Sequence, residues 1–275
     1  MKAYPFKFLN AYDKDDAGFF FGRDEEIDCL YEMVFQSSIL LVYGASGTGK
    51  SSLIQCGLAN KFSSHDWLAL NIRRGSDINM SLEKVLCDAG SNGYVPEEEE
   101  DEFGNQPKPL SRLSKAFKAI YYNSFRPVYL IFDQFEELFI LGSKLEQEMF
   151  IETVQEILGV EQPVKMIFSI REEYLGYLNE FERAEPQLTR KKLRVEPMNE
   201  DKVRQVIVGA TSHEKSIVSI KAEETNEITT GIFNKLKGTE KSKTIQLPYL
   251  QVFLDKFYLE ITKDKTRKKE AVFRF

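Results

Sequence analysis

The stretch GASGTGKS, Gly44 to Ser51, constrains this chain more than any other. It follows a short continuous apolar run, Ile39 to Tyr43, of the kind that forms a strand buried on both faces. It precedes a helical pattern from Lys50 to Asn60. Glycines at this spacing let a loop fold back so that its backbone N–H groups face an anion, and the next helix N-terminus adds partial positive charge. The segment expected around a nucleotide's phosphates is Gly44, Ala45, Ser46, Gly47, Thr48, Gly49, Lys50, Ser51 and Ser52. Within it Lys50 can reach the β- and γ-phosphates, and the Ser51 hydroxyl can ligate Mg²⁺. The plain alternative is an ordinary glycine-rich turn, which the strand–loop–helix context argues against.

The rest of the pattern alternates strands with helices. Asp24 opens a helix to Gln36, with Ile27, Leu30, Tyr31 and Val34 on one face. Trp67–Ile72, Val128–Phe132, Val164–Ile170 and a short Leu193–Val195 read as further strands. Asn79–Ala89, Leu110–Asn123, Leu145–Leu158 and Arg171–Glu180 read as helices. Residues 198–262 carry helical patterns broken near Gly231 and Gly238. Such alternation predicts an α/β fold with a parallel sheet sandwiched by helices. The stretch SNGYVPEEEEDEFGNQPKP, rich in acid, Pro and Gly, reads as a mobile surface loop. The leader, residues 1–21, is aromatic-rich without a clear period, and the tail KDKTRKKEAVFRF has no folding signal.

Composition excludes several classes. With 37 basic and 43 acidic residues the net charge is −6, which disfavours direct nucleic-acid binding. No apolar run reaches the ~20 residues of a membrane helix, and MKAYPFKFLN lacks a continuous apolar signal segment, so neither a membrane partner nor secretion is expected. Cys29, Cys56 and Cys87 have no CxxC spacing, which fits a reducing cytoplasm. His65 and His213 lack a partner cluster for metal chemistry. Arg190, Lys191, Lys192 and Arg194 form a small basic patch, which could touch phosphate or a partner domain, although a solvated face is the plainer reading.

Two further segments carry chemistry. In VYLIFDQFEELF, Asp133 ends an apolar strand at its carboxyl edge, where ligands bind in open α/β sheets. A carboxylate there can hold Mg²⁺, while Glu136 or Glu137 could activate water for attack on a γ-phosphate. The competing reading is that these acids only open a helix. Arg171 leaves the strand VKMIFSI. If that strand neighbours the one feeding the glycine loop, its edge points Arg171 at the γ-phosphate; the competing reading is a surface arginine paired with Glu172 or Glu173.

In order along the chain stand FFFGRDEEID, SILLVYGASGTGKSSLI, RRGSDINMSLEKVL, VYLIFDQFEELF and FSIREEYLGYL. Together they resemble the STAND class of P-loop NTPases, and most closely the novel STAND domain of bacterial signalling and anti-phage defence proteins. The resemblance runs from about Phe6 to Leu254. It implies that Phe21, Gly22 and Arg23 lie against adenine and ribose, that the catalytic acid is Glu136 or Glu137, and that Arg171 senses phosphate. It also implies that Pro248, in IQLPYLQVFLDKFY, touches adenine, although Gln246 stands where the family's small residue is usual. The expected domains are a P-loop NTPase core with an adenine-binding leader (1–197), a C-terminal helical lid subdomain (198–262) and a basic tail (263–275). The expected activity is that of an ATP-binding, Mg²⁺-dependent ATPase switch, slow and regulated, which forms homo-oligomers on activation. Effector and sensor modules of the kind found in the family are not expected within this chain. The alternatives are an AAA- or origin-recognition-like motor acting on nucleic acid or protein, a small-molecule kinase, and a scaffold that binds nucleotide without hydrolysing it.

Overall fold

A computed structural model describes residues 2–90, 111–238 and 243–274. The acidic stretch 91–109 lies outside the described residues. The elements run α1 (Asp24–Gln36), β1 (Ile39–Gly44), α2 (Lys50–Ser52), β2 (Leu68–Ile72), α3 (Ile78–Gly90), α4 (Arg112–Ser124), β3 (Val128–Phe132), α5 (Glu137–Leu141), α6 (Lys144–Leu158), β4 (Val164–Arg171), α7 (Asn179–Ala184), α8 (Gln187–Arg190), β5 (Lys192–Arg194), α9 (Glu200–Ser212), β6 (Val218–Ile220), α10 (Thr225–Leu236), α11 (Leu247–Thr262) and β7 (Ala271–Phe273).

These elements form two compact units, neither continuous in sequence. The first holds Glu32–Tyr43 and Phe62–Leu193. Its strands build a five-stranded parallel sheet in the order β2-β3-β4-β1-β5. The registers are regular, with Leu130 opposite Leu70 on one side and Met166 on the other. Alternate residues Leu130 and Phe132 on β3, Met166, Phe168 and Ile170 on β4, and Ile39 and Leu41 on β1 enter one apolar cluster with residues of α3, α4 and α6. The intervening Tyr129, Ile131, Ile167 and Leu40 are buried too. Burial on both faces is what makes these strands read as unbroken apolar runs. Phe132 stacks on Phe168 at 4.7 Å. The helices start on local caps: the Ser111 and Ser143 side chains accept hydrogen bonds from the backbone N–H groups of Ser114 and Glu146.

The second unit joins Met1–Tyr31, Gly44–Lys61 and Arg194–Phe275. Its core gathers Phe6 from the leader, Val203 and Ile207 from α9, Ile228 and Ile232 from α10, Leu250, Leu254 and Tyr258 from α11, and Phe273 from β7. Two sequence expectations are corrected here. Gly231 does not break a helix; it lies inside α10. The tail, read as lacking a folding signal, forms β7 parallel to β6, with Ala271 and Phe273 buried. A three-residue strand held by a partner some 50 positions away leaves no local periodicity to read. Among the described residues no helix is long and apolar enough to cross a membrane.

Candidate nucleotide site

The glycine loop belongs to the second unit. Gly47 has φ +74°, and a Cβ built there would lie 2.7 Å from Cγ of Pro248. A Cβ on Gly44 would lie 2.3 Å from the carbonyl oxygen of Val195. Glycine is required at both positions because neighbours occupy the side-chain space, and at Gly47 because the backbone is left-handed as well. The Lys50 ammonium folds back over the loop and donates to the carbonyls of Gly44 at 2.9 Å and Ala45 at 3.0 Å. The Thr48 hydroxyl donates to the Ala45 carbonyl at 3.0 Å. Ser51 stands in the first turn of α2, beside Lys50. The Ser52 hydroxyl accepts from the Tyr12 N–H at 3.1 Å, which ties the leader to this turn. The expected helix 50–60 becomes the three residues of α2, then a π-helical turn (Leu53–Leu58), then a 3₁₀ turn (Ala59–Lys61).

The leader holds the loop from behind. Arg23 is 2 % exposed. Its guanidinium donates to the Thr48 carbonyl at 2.9 Å and the Glu196 carbonyl at 2.8 Å, and pairs with Glu26 at 2.5 Å. Lys202 of α9 reaches the same Glu26 carboxylate at 2.6 Å. Burial pushes the Glu26 carboxyl up, but the hydrogen bonds from Lys202 and Arg23 outweigh it and hold the carboxyl below its ordinary value. Phe21 packs against Gly209, where a Cβ would lie 2.4 Å from its ring. A Cβ at Gly22 (φ +78°) would meet the Lys202 carbonyl oxygen at 2.8 Å. Of the three leader residues assigned to the adenosine, two thus have side chains committed to packing or clamping. Pro248, at the start of α11, lies on the phosphate loop at Gly47.

The acidic residues belong to the sheet unit. Asp133 directly follows β3, and its N–H donates to the Ile72 carbonyl at 3.1 Å. Its carboxylate, 3 % exposed, accepts from Arg73 at 2.9 Å. Gln134 takes a left-handed φ of +57°, and the Phe135 N–H donates to Ser169 of β4 at 2.9 Å. This tight turn buries Glu136, whose carboxylate receives the Arg171 Nε at 2.9 Å and the Arg171 backbone N–H at 3.2 Å. Arg171 ends β4, which neighbours β1 in the sheet as the γ-phosphate reading required. The structure pairs it with Glu136 rather than with Glu172 or Glu173. Glu137 opens α5, is half-buried, and has no ion pair among the described residues.

Two arginines stand here without a role from the sequence. Arg74 makes a two-pronged pair with buried Glu146, at 2.9 and 2.7 Å, and the Ile78 N–H donates to the same carboxylate at 2.8 Å. That pair fixes the turn after β2 that presents Arg73 to Asp133. The signal was the doubled arginine at the carboxyl edge of a strand. Taken one by one, the Asp133 carboxylate in the sheet unit and the Ser51 hydroxyl in the glycine-loop unit are each oxygen donors of the kind Mg²⁺ takes.

Comparison with known structures places this geometry. The chain aligns with a Walker-type ATPase of Pyrococcus abyssi at 19 % identity and TM-score 0.58, over 96 % of this chain and 73 % of that one. It aligns with the ORC2 protein of Aeropyrum pernix in its ADP form at 13 % identity and TM-score 0.61, over 97 % of this chain and 69 % of that one. The ORC1 protein of Aeropyrum pernix, solved in complex with DNA, matches at 16 % identity and TM-score 0.54, over 94 % of this chain. Here the chain spans 65 % of the relative, less than two thirds of its length. At these identities the likeness is one of fold, the P-loop NTPase α/β fold. No curated protein matches the sequence. The model of the novel STAND NTPase 1 family matches over residues 5–273, nearly the whole chain, and the protein belongs to that family.

Proposed function

We propose that this NTPase works as an ATP switch in signal transduction, binding ATP with Mg²⁺, hydrolysing it slowly, and changing the state of residues 198–262 as it does so. Lys50 and the loop N–H groups bind the β- and γ-phosphates. The leader backbone at Phe21 and Gly22 and the start of α11 at Pro248 border the adenosine. Ser51 and Asp133 would hold Mg²⁺, which would supply charge neutralisation on the phosphates. Glu136 takes a proton from the attacking water, and Arg171 orients that carboxylate and meets the γ-phosphate charge. Homo-oligomerisation on activation and a place in bacterial defence or stress signalling complete the reading, by family resemblance.

The observation that carries it is the seat of Pro248 on Gly47. The helix most remote in sequence touches the loop that holds the phosphates, so phosphate occupancy and the packing of α11 act on each other. A ligand shifts a two-state equilibrium only through such differential contact. Hydrogen exchange with saturating ATP–Mg²⁺ and then ADP–Mg²⁺ tests the switch. Different protection within 198–262 is expected. Identical profiles would leave a plain NTPase and remove the switch.

The fold likeness to a DNA-bound ORC1 supports a second reading, a motor on nucleic acid. The net charge of −6 weighs against it. Repeating the turnover assay with duplex DNA separates the two, since only the motor reading expects stimulation.

A further inference from the structure

A polar pocket of about 480 Å³ opens at the amino-terminal ends of β1 and β4, the edge of the sheet opposite to the strand ends that carry Asp133 and Arg171. Three cations line it: Lys165 from β4, Arg190 from the end of α8, and Lys191 just before β5. The remaining lining is neutral, and no carboxylate contributes. Composition does not force this, because acids outnumber bases in the chain by 43 to 37.

None of the three charges is neutralised among the described residues. The Lys165 ammonium donates to the Ser37 carbonyl at 2.9 Å, and Lys191 donates to the Gln36 side-chain oxygen at 2.5 Å. Both acceptors are neutral. Arg190 is exposed and makes no ion pair with a described residue. Lys165 is half-buried, and burial alone pushes its ammonium below the ordinary lysine value. A strand lysine held partly out of water beside two more cations is an arrangement that folding alone disfavours. An anion in the pocket would relieve it.

We propose that this pocket is a second anion site, which takes the phosphoryl group of a small phosphorylated ligand. A terminal phosphoryl group carries up to two charges on three oxygens, which matches a pocket lined by three cations better than a single carboxylate does. The volume suits a nucleotide-sized molecule as well as an inorganic ion. Phe35, 64 % exposed, also lines the pocket and supplies an aromatic ring for contact with a base.

Calorimetric titration of inorganic pyrophosphate and of AMP tests this. The host is the Lys50→Ala protein, so that the glycine loop does not compete for the anion. Both probes should bind it, and adding Lys165→Met with Arg190→Ala should weaken each by about tenfold or more, the loss expected for charge-assisted hydrogen bonds. If Lys165→Met lowers the melting temperature, Arg190→Ala alone, an exposed change, should still weaken binding several-fold. A Phe35→Ala change that weakens AMP but not pyrophosphate identifies a nucleotide as the source; equal effects identify an inorganic ion. With Lys50 intact, the Lys165→Met Arg190→Ala protein should still bind ATP at the glycine loop, which separates failure here from failure there. Equal affinity with and without the two cations, or no binding of either probe to the Lys50→Ala protein at millimolar concentration, would overturn the proposal.

Discussion

Lys50 curls onto the carbonyls of Gly44 and Ala45, both in the glycine loop, so removing it should cost phosphate binding and not the fold. Lys50→Ala is expected to weaken ATP–Mg²⁺ binding by at least about tenfold, the loss of one charge-assisted contact, with an unchanged melting temperature. Calorimetry and a thermal melt read the two halves. Glu136 is the acid whose position the sequence left open. Its burial and its two contacts from Arg171 fix its direction, whereas Glu137 opens α5. Glu136→Gln should therefore retain ATP and slow turnover by about 10²–10⁴-fold, the usual contribution of a general base, while Glu137→Gln stays within a few-fold. If Glu137→Gln proves the slower enzyme, the roles are reversed. The residue types of this site were legible because Walker-type segments follow apolar strands. The pairing of Arg73 with Asp133 was not, because it joins the exits of β2 and β3 across 60 positions.

Among the elements, the strands were the most legible. Val128–Phe132 matches its expected bounds, and β1 and β4 each run one residue past their expected ends, because burial on both faces demands apolar runs. The leader and the tail were not, since their order comes from one another and not from a local period. Ala3 donates to the Lys215 carbonyl, Ile217 donates to that of Ala3, and Ala271 donates to that of Ile217. The helix after the glycine loop was legible in place but not in kind, its π-helical turn leaving no mark in the pattern. The loop itself carries an element-scale prediction. Gly47→Ala puts a methyl group 2.7 Å from the Pro248 ring at a left-handed φ. It should displace the start of α11 and abolish ATP binding more completely than Lys50→Ala does. Replacing Pro248 by Ala in the same chain should restore part of that loss, which a titration of the double variant would detect.

Across the whole molecule, the unit that carries the glycine loop is closed by contacts between its most distant segments. Tyr4 of the leader donates to Asp255 of α11 at 2.8 Å, and Arg267 of the tail pairs with the same carboxylate at 2.7 and 2.8 Å. The Arg267 hydrogen bond is the main cause that holds the Asp255 carboxyl below its ordinary value. A carboxylate with a depressed folded pKa stabilises the fold above its unfolded value and loses that contribution as pH falls through the folded one. Asp255→Asn should then cost about 1.5–3 kcal/mol at neutral pH, and its melting difference from the parent should shrink below about pH 4. A difference that stays constant from pH 7 to pH 3 would deny the pair its role. The central claim, that one chain binds ATP through Lys50 and hydrolyses it through Glu136, is tested most directly by single-turnover hydrolysis of γ-labelled ATP with Mg²⁺ in the parent, Lys50→Ala and Glu136→Gln proteins. The parent should release phosphate, Glu136→Gln should retain ATP uncleaved, and Lys50→Ala should neither retain nor cleave it. Cleavage at the parental rate in either variant would contradict the claim.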